Sequence, residues 1–217
     1  MTWQRWWFKA VPVLVAINTV IFLYERLIGL QGRSRLFESY ALTQSGLAEG
    51  RWWQLITHAF LHGSLLHLLV NMAGLWFAGR IIERLMGTGR FLVLYGVAAV
   101  AGGLAQILLT GGNNPLIGAS GAVCGVVIAF TTMFPEAQIV ALLFFVIPIR
   151  LRAKYLGWGI TGSSLLFLVT GFEPWIGHAA HFGGCVAGYV FARLAGYGTP
   201  TFLERKFLRK DTYGAAG

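Results

Sequence analysis

Apolar residues in this chain come in long blocks, and nearly all the charge falls in the gaps between them. A helix rises about 1.5 Å per residue, so about twenty apolar residues cross a hydrocarbon layer of about 30 Å. Six blocks approach or reach that length: residues 10–28, 65–85, 91–110, 115–134, 155–172 and 175–194. Each predicts a membrane-spanning helix, so the expected fold is an all-α membrane protein: a six-transmembrane-helix bundle, one domain over residues 1–217, with a long first loop over about 29–64. A seventh apolar run, 139–149, has only eleven residues and carries Pro148 near its end, which predicts an interfacial or hairpin segment. No internal repeat or low-complexity tract divides the chain.

Composition agrees with the pattern. Hydrophobic residues make up 56% and charged ones 12% of 217 residues, and the mean hydropathy is +0.66, outside the usual range of a water-soluble domain. The first block lacks a small-residue cleavage site and follows an aromatic, basic flank, so it reads as a retained span that anchors the chain in the bilayer. The net charge of +9 comes from Lys and Arg scattered over short gaps, the distribution of topology signals and not of a nucleic-acid surface. Thirteen of these cations flank one face: Arg5, Lys9, Arg80, Arg84, Arg90, Arg150, Arg152, Lys154, Arg193, Arg205, Lys206, Arg209 and Lys210. The other four, Arg26, Arg33, Arg35 and Arg51, lie around the first loop. Positive charge favours the cytoplasm, so both termini are expected there and the first loop outside.

In that orientation the second, fourth and sixth helices all start at the external face, as "HGSLLHLLVNMAG", "PLIGASGAVCG" and "WIGHAAHFGGCVAG". His67 and Asn71, Ser120, and His181 then share one shallow depth. Strongly polar side chains inside a span are costly and face a protein interior or a water-filled cavity. Singly, each has a plainer reading: a small-residue packing face around Ser120, interhelical hydrogen bonding for Asn71, an interior or proton-relay imidazole for His67 or His181. The spacing of His58 and His62 suits a metal, as His67, His178 and His181 would beside them, but no carboxylate or cysteine is placed beside them, so neither metal nor cofactor is expected.

Together these residues supply an acyl-transfer site. A serine hydroxyl needs a base, and an imidazole can take its proton and later protonate the leaving amine. His181 is the expected base for Ser120. Oxyanion donors are available from the Ser120 backbone N–H at a helix start and from His67 and Asn71, which share a helix face. The only aspartate, Asp211, lies in the tail, and no glutamate is placed beside the site, so a Ser-His dyad is expected in place of a triad. The same absence excludes an aspartyl protease, and the lack of HExxH argues against a zinc protease. Gly121 with Gly125, and Gly184 with Gly188, are small pairs one turn apart that let two helices approach. Cys124 and Cys185, one turn below Ser120 and His181, are then expected to be neighbours as a reduced, packed pair.

From about Arg51 to Leu194 the sequence resembles the rhomboid family of intramembrane serine proteases: "HAFLHGSLLHLLVNM" is similar to its His-xxx-Asn second helix, "GASG" to its nucleophile motif and "AHFGGCVAG" to its sixth helix. The resemblance implies Ser120 as nucleophile, His181 as base, His67 and Asn71 at the oxyanion, and a site open to the extracytoplasmic side of a cell membrane; Gly118, Gly121, Gly125, Gly184 and Gly188 are expected as supporting packing. Two positions depart from the family pattern: Trp53-Gln54 where the first loop often has Trp-Arg, and Cys124 where an aromatic often stacks on the histidine.

A substrate helix must unwind before a serine can reach its carbonyls. Expected partners are therefore single-span membrane proteins, cut near their external ends, with lipid as the surrounding solvent. Trp52 and Trp53 would set the first loop partly in the outer leaflet. Gly157, Gly159, Gly162, Ser163 and Ser164 mark the fifth helix as a loosely packed lateral entrance. Two other classes stay open: a rhomboid-like client-binding protein that does not cut, which usually lacks the serine or histidine, and a small transporter, which would spread polar groups through the membrane depth. Nothing in the pattern specifies an oligomeric state.

Overall fold

The structure, a computed structural model, describes residues 9–111, 114–143, 147–173 and 175–196. Arg5, Arg205, Lys206, Arg209, Lys210 and Asp211 lie outside them. In chain order the elements are α1 (Ala10–Leu27), α2 (Gly29–Tyr40), α3 (Gln44–Ala48), α4 (Gln54–Thr57), α5 (Leu65–Gly74), α6 (Arg80–Met86), α7 (Thr88–Thr110), α8 (Ser120–Met133), β1 (Gln138–Leu143), β2 (Ile147–Arg152), α9 (Ala153–Thr170) and α10 (His178–Leu194). A five-residue π segment, Leu75–Gly79, joins α5 to α6 into one rod. Three described helices are long and apolar enough to cross a membrane: Ala10–Leu27, Leu65–Met86 and Thr88–Thr110.

The surface is apolar, and several polar groups lie in the interior. Val20, Leu23, Leu66, Phe77, Leu108 and Val169 are exposed, whereas Asn18, Glu25, His58, His62, Glu83 and Gln106 are buried. Such a surface suits lipid, and the interior polar groups then need protein partners. Glu83 finds three: its carboxylate accepts from the Ala10 and Val11 N–H groups at 2.7 and 3.2 Å and from the Thr88 hydroxyl at 2.8 Å. It thereby satisfies orphan donors at the start of α1 and ties α1 and α7 to α6.

The bundle is built around α8, whose Val123, Val126, Ala129 and Met133 lie in the main core with residues of α1, α5, α6 and α7. Apolar burial gives little drive between helices surrounded by lipid tails, so close backbone approach carries the packing. Small residues allow it. A Cβ added at Gly184 would strike the Gly121 carbonyl, and one at Gly188 the Gly125 carbonyl. At Gly183 a Cβ would lie 2.7 Å from the Ala101 carbonyl of α7, and α10 is thus seated against both α7 and α8.

Three differences from the sequence expectation matter for the site. The fourth helix begins at Ser120 and not at Pro115, because Gly118 adopts φ +114° and Leu116 pairs with Leu42. Similarly, α10 begins at His178, after the turn at 175–177. The first loop is largely helical, holding α2, α3, α4 and a 3-10 turn at His58–Phe60. The short apolar run after α8 is an antiparallel hairpin of β1 and β2, with Ile139 opposite Leu151. Glu136 anchors its base, 2.6 Å from Lys154 and 2.8 Å from Arg152, and these cations, Lys154 first, hold its carboxyl below the usual range. On α9, Gly157 is tight against the Thr131 hydroxyl, whereas Gly159 and Gly162 face open space.

Candidate active site

The 14 residues of α8 cover about 21 Å at about 1.5 Å each, less than the reach of α7, and its first residue is half-buried. That residue is Ser120. The segment ahead of it is fixed by backbone pairing: Leu42 and Leu116 exchange hydrogen bonds of 3.0 and 2.9 Å, and Gly118 N–H donates to the His58 carbonyl at 2.9 Å. Position 118 tolerates only glycine on two counts, the positive φ and a Cβ that would lie 2.6 Å from His67 Nε2.

His181, on the first turn of α10, brings Nε2 to 2.7 Å from Ser120 Oγ. A hydroxyl at that distance can pass its proton to the ring. The backbone contacts of Gly121 and Gly184 set the spacing, since each glycine adjoins or lies one turn from a member of the pair. Among the described residues no carboxylate hydrogen-bonds to His181. Its support comes from its own helix: the His178 ring stands edge-on to it, centroids 6.0 Å apart, and rests in turn on Phe167 at 5.2 Å. Gln106 on α7 holds the same turn, its Oε1 accepting from Ala180 N–H at 3.3 Å.

Residues 49–198 match the family model described as the rhomboid domain. The chain belongs to the rhomboid family. Similar relatives include rhomboid protease GluP of Bacillus subtilis, 28% identical over 85% of this chain and 34% of that protein. Presenilin-associated rhomboid-like protein A, mitochondrial, of Danio rerio is 31% identical over 88% of this chain and 48% of that protein. Rhomboid protease GlpG of Yersinia pestis is 34% identical over 64% of this chain and 47% of that protein. The chain thus spans about half or less of the length of these relatives.

In this rhomboid the other anticipated residues lie on α5 and at the start of α8. His67 packs on Gly118, two residues before Ser120. Asn71 is buried one turn along α5 and donates one amide hydrogen to the His67 carbonyl at 2.8 Å, which leaves its second N–H. The Ser120 N–H stands at the first position of α8, where no intrahelical acceptor exists. Ser120, His67 and His181 are half-buried. Cys124 and Cys185 are free thiols on neighbouring stretches of α8 and α10, where a Cβ at Gly125 would lie 2.9 Å from the Gly184 carbonyl. No group of three or more His, Cys, Asp or Glu side chains able to hold a metal occurs among the described residues.

The supporting roles of several residues were not legible in the sequence. Gln54 is the hub of the first loop: fully buried, it accepts from Thr43 N–H and donates to the Glu38 and Ser39 carbonyls, each at 3.3 Å. Trp53 adds a 2.9 Å bond from its indole to Ser39 O. The amide therefore makes loop contacts at the position where the family often has arginine. His58, hydrogen-bonded to Gln54 O at 2.8 Å, and His62 are both buried, and burial pushes each imidazole down to about 4. A one-turn spacing next to a Trp pair was the available signal for Gln54 and His58; nothing local marks His178 or Gln106.

Proposed function

We propose that this rhomboid is a serine-type intramembrane endopeptidase that hydrolyses peptide bonds of single-span membrane proteins near their extracytoplasmic ends. The observation that carries the reading is the 2.7 Å contact between Ser120 Oγ and His181 Nε2 on two helices whose backbones touch. In this mechanism His181 takes the Ser120 proton as Oγ attacks the scissile carbonyl. The oxyanion forms beside the Ser120 N–H, the His67 ring and the second N–H of Asn71. His181 then protonates the leaving amine, and water, activated by the same imidazole, hydrolyses the acyl-enzyme. Without a carboxylate on His181, its orientation rests on His178, Gln106 and helix packing.

In this reading the chain crosses the bilayer six times, with α8, α9 and α10 joining Ala10–Leu27, Leu65–Met86 and Thr88–Thr110. Both termini are cytoplasmic and the site faces the extracytoplasmic side of the cell membrane, the side with fewest cations. Trp52 and Trp53, both more than half exposed, sit at the outer interface. The open Gly159 and Gly162 faces of α9 mark the lateral entrance for a substrate helix.

The test is cleavage of a single-span reporter in membranes by the wild type, Ser120→Ala and His181→Ala. Cleavage by the wild type alone is expected. Equal cleavage by all three variants would remove the dyad, and uncut reporter that still co-purifies with the wild type would favour a client-binding protein.

A further inference from the structure

Glu25, near the external end of α1, has no part in the chemistry above, and it is 1% exposed. A carboxylate held inside a membrane helix is costly and is retained where it serves a specific contact. Here one oxygen, Oε1, accepts the backbone N–H of His62 at 3.1 Å, across 37 residues of chain. The next residue is gripped as well: the Gly63 carbonyl accepts from Arg26 Nη2 and Arg33 Nη2, both at 2.9 Å. Ser64 follows as the N-cap of α5, its hydroxyl accepting from His67 N–H at 3.1 Å. His62 itself is fully buried, its ring 5.1 Å from that of His67. An unbroken run of contacts therefore leads from the Glu25 carboxylate through the 62–64 turn to His67, whose ring lies on Gly118, two residues before Ser120.

We infer that Glu25 is a positioning residue: by accepting the His62 N–H it fixes the turn that starts α5 and so sets where His67 stands relative to the developing oxyanion. The inference rests on the oxyanion assignment of His67. It separates hydrogen-bond acceptance from charge. Glu25→Gln keeps an acceptor oxygen at the same reach, Glu25→Asp keeps the charge but withdraws it by a methylene, and Glu25→Ala removes both.

Two readouts test it on the full chain in membranes. In reporter cleavage, Glu25→Ala and Glu25→Asp are expected to lose about tenfold in kcat with KM within about twofold, less than the roughly hundredfold or greater loss of removing an oxyanion donor outright, while Glu25→Gln stays near wild type. Wild-type kcat in Glu25→Ala, a loss confined to KM, or Glu25→Gln falling as far as Glu25→Ala each overturns the inference. If Glu25→Ala does not accumulate, the Gln and Asp variants carry the comparison. The second readout is independent of cleavage: hydrogen exchange over residues 61–68 should rise in Glu25→Asp and Glu25→Ala and not in Glu25→Gln. Unchanged exchange in both overturns the inference even if the wild type proves inactive, an outcome that by itself counts against the peptidase reading.

Discussion

The rings of His178 and His181 stand at 87° with centroids 6.0 Å apart, one helical turn from each other on α10. Edge-to-face contact of this kind resists rotation of the inner ring, and Phe167 backs the outer one from α9. With Cys124 in place of an aromatic below the serine, His178 is the aromatic neighbour of His181, the proposed base. His178→Ala should lower kcat about tenfold with little change in KM, on the scale of a misplaced general base, and His178→Phe should recover most of it. Steady-state kinetics of the two variants check this; equal loss in both would assign the effect to the imidazole nitrogens and not to ring packing.

Backbone approach at the glycine pairs sets the spacing of Ser120 and His181. A Cβ at Gly184 or Gly188 would run into the carbonyl of Gly121 or Gly125, backbone that cannot swing aside. Gly184→Ala and Gly188→Ala should each destabilise by about 1–3 kcal/mol or more, as overpacking does, and Gly159→Ala, with open space at its Cβ, should not. Thermal unfolding midpoints of purified protein decide between these outcomes.

His58 and His62 give stability a defined acid dependence. Burial lowers both from 6.5 to about 4 in the folded chain. Between those values the unfolded chain binds protons that the folded one does not, so stability is full above pH 6.5, falls as pH drops toward 4, and levels below it. Each site contributes up to about 3 kcal/mol at about 1.4 kcal/mol per pH unit. The unfolding midpoint measured from pH 8 to 4 should fall along that course, and less steeply in His58→Gln.

Cys124 and Cys185 lie one turn from Ser120 and His181, on stretches of α8 and α10 whose backbones touch. A short thiol-bridging reagent applied to membranes should join them in one chain and so link α8 to α10, seen as a peptide pair after digestion. Cys124→Ser should abolish the product. Two singly modified thiols in the wild type would show that the side chains do not face each other.

Local information was enough to place the long helices and the hairpin, because block length and hydropathy act on each segment separately. The same holds for the small-residue faces of α8 and α10 and for the polar first turns at His67, Ser120 and His181, which follow from positions along single helices. Where a helix could begin was already a tertiary matter: Ser120 became the first residue of α8 only because Leu116 pairs with Leu42 and Gly118 turns against His67. The first loop could not be read as an ordered unit, since its order comes from one buried amide, Gln54, reaching carbonyls 15 and 16 residues away. Glu25 and His62 lie 37 residues apart, and Gln106 and Ala180 lie 74 apart. A hydrogen bond at such separation leaves no periodicity in the chain. Segment composition therefore determined which residues line the helices, and the packing of those helices decided which polar groups meet, because a buried donor takes whichever acceptor the fold brings within 3 Å or so.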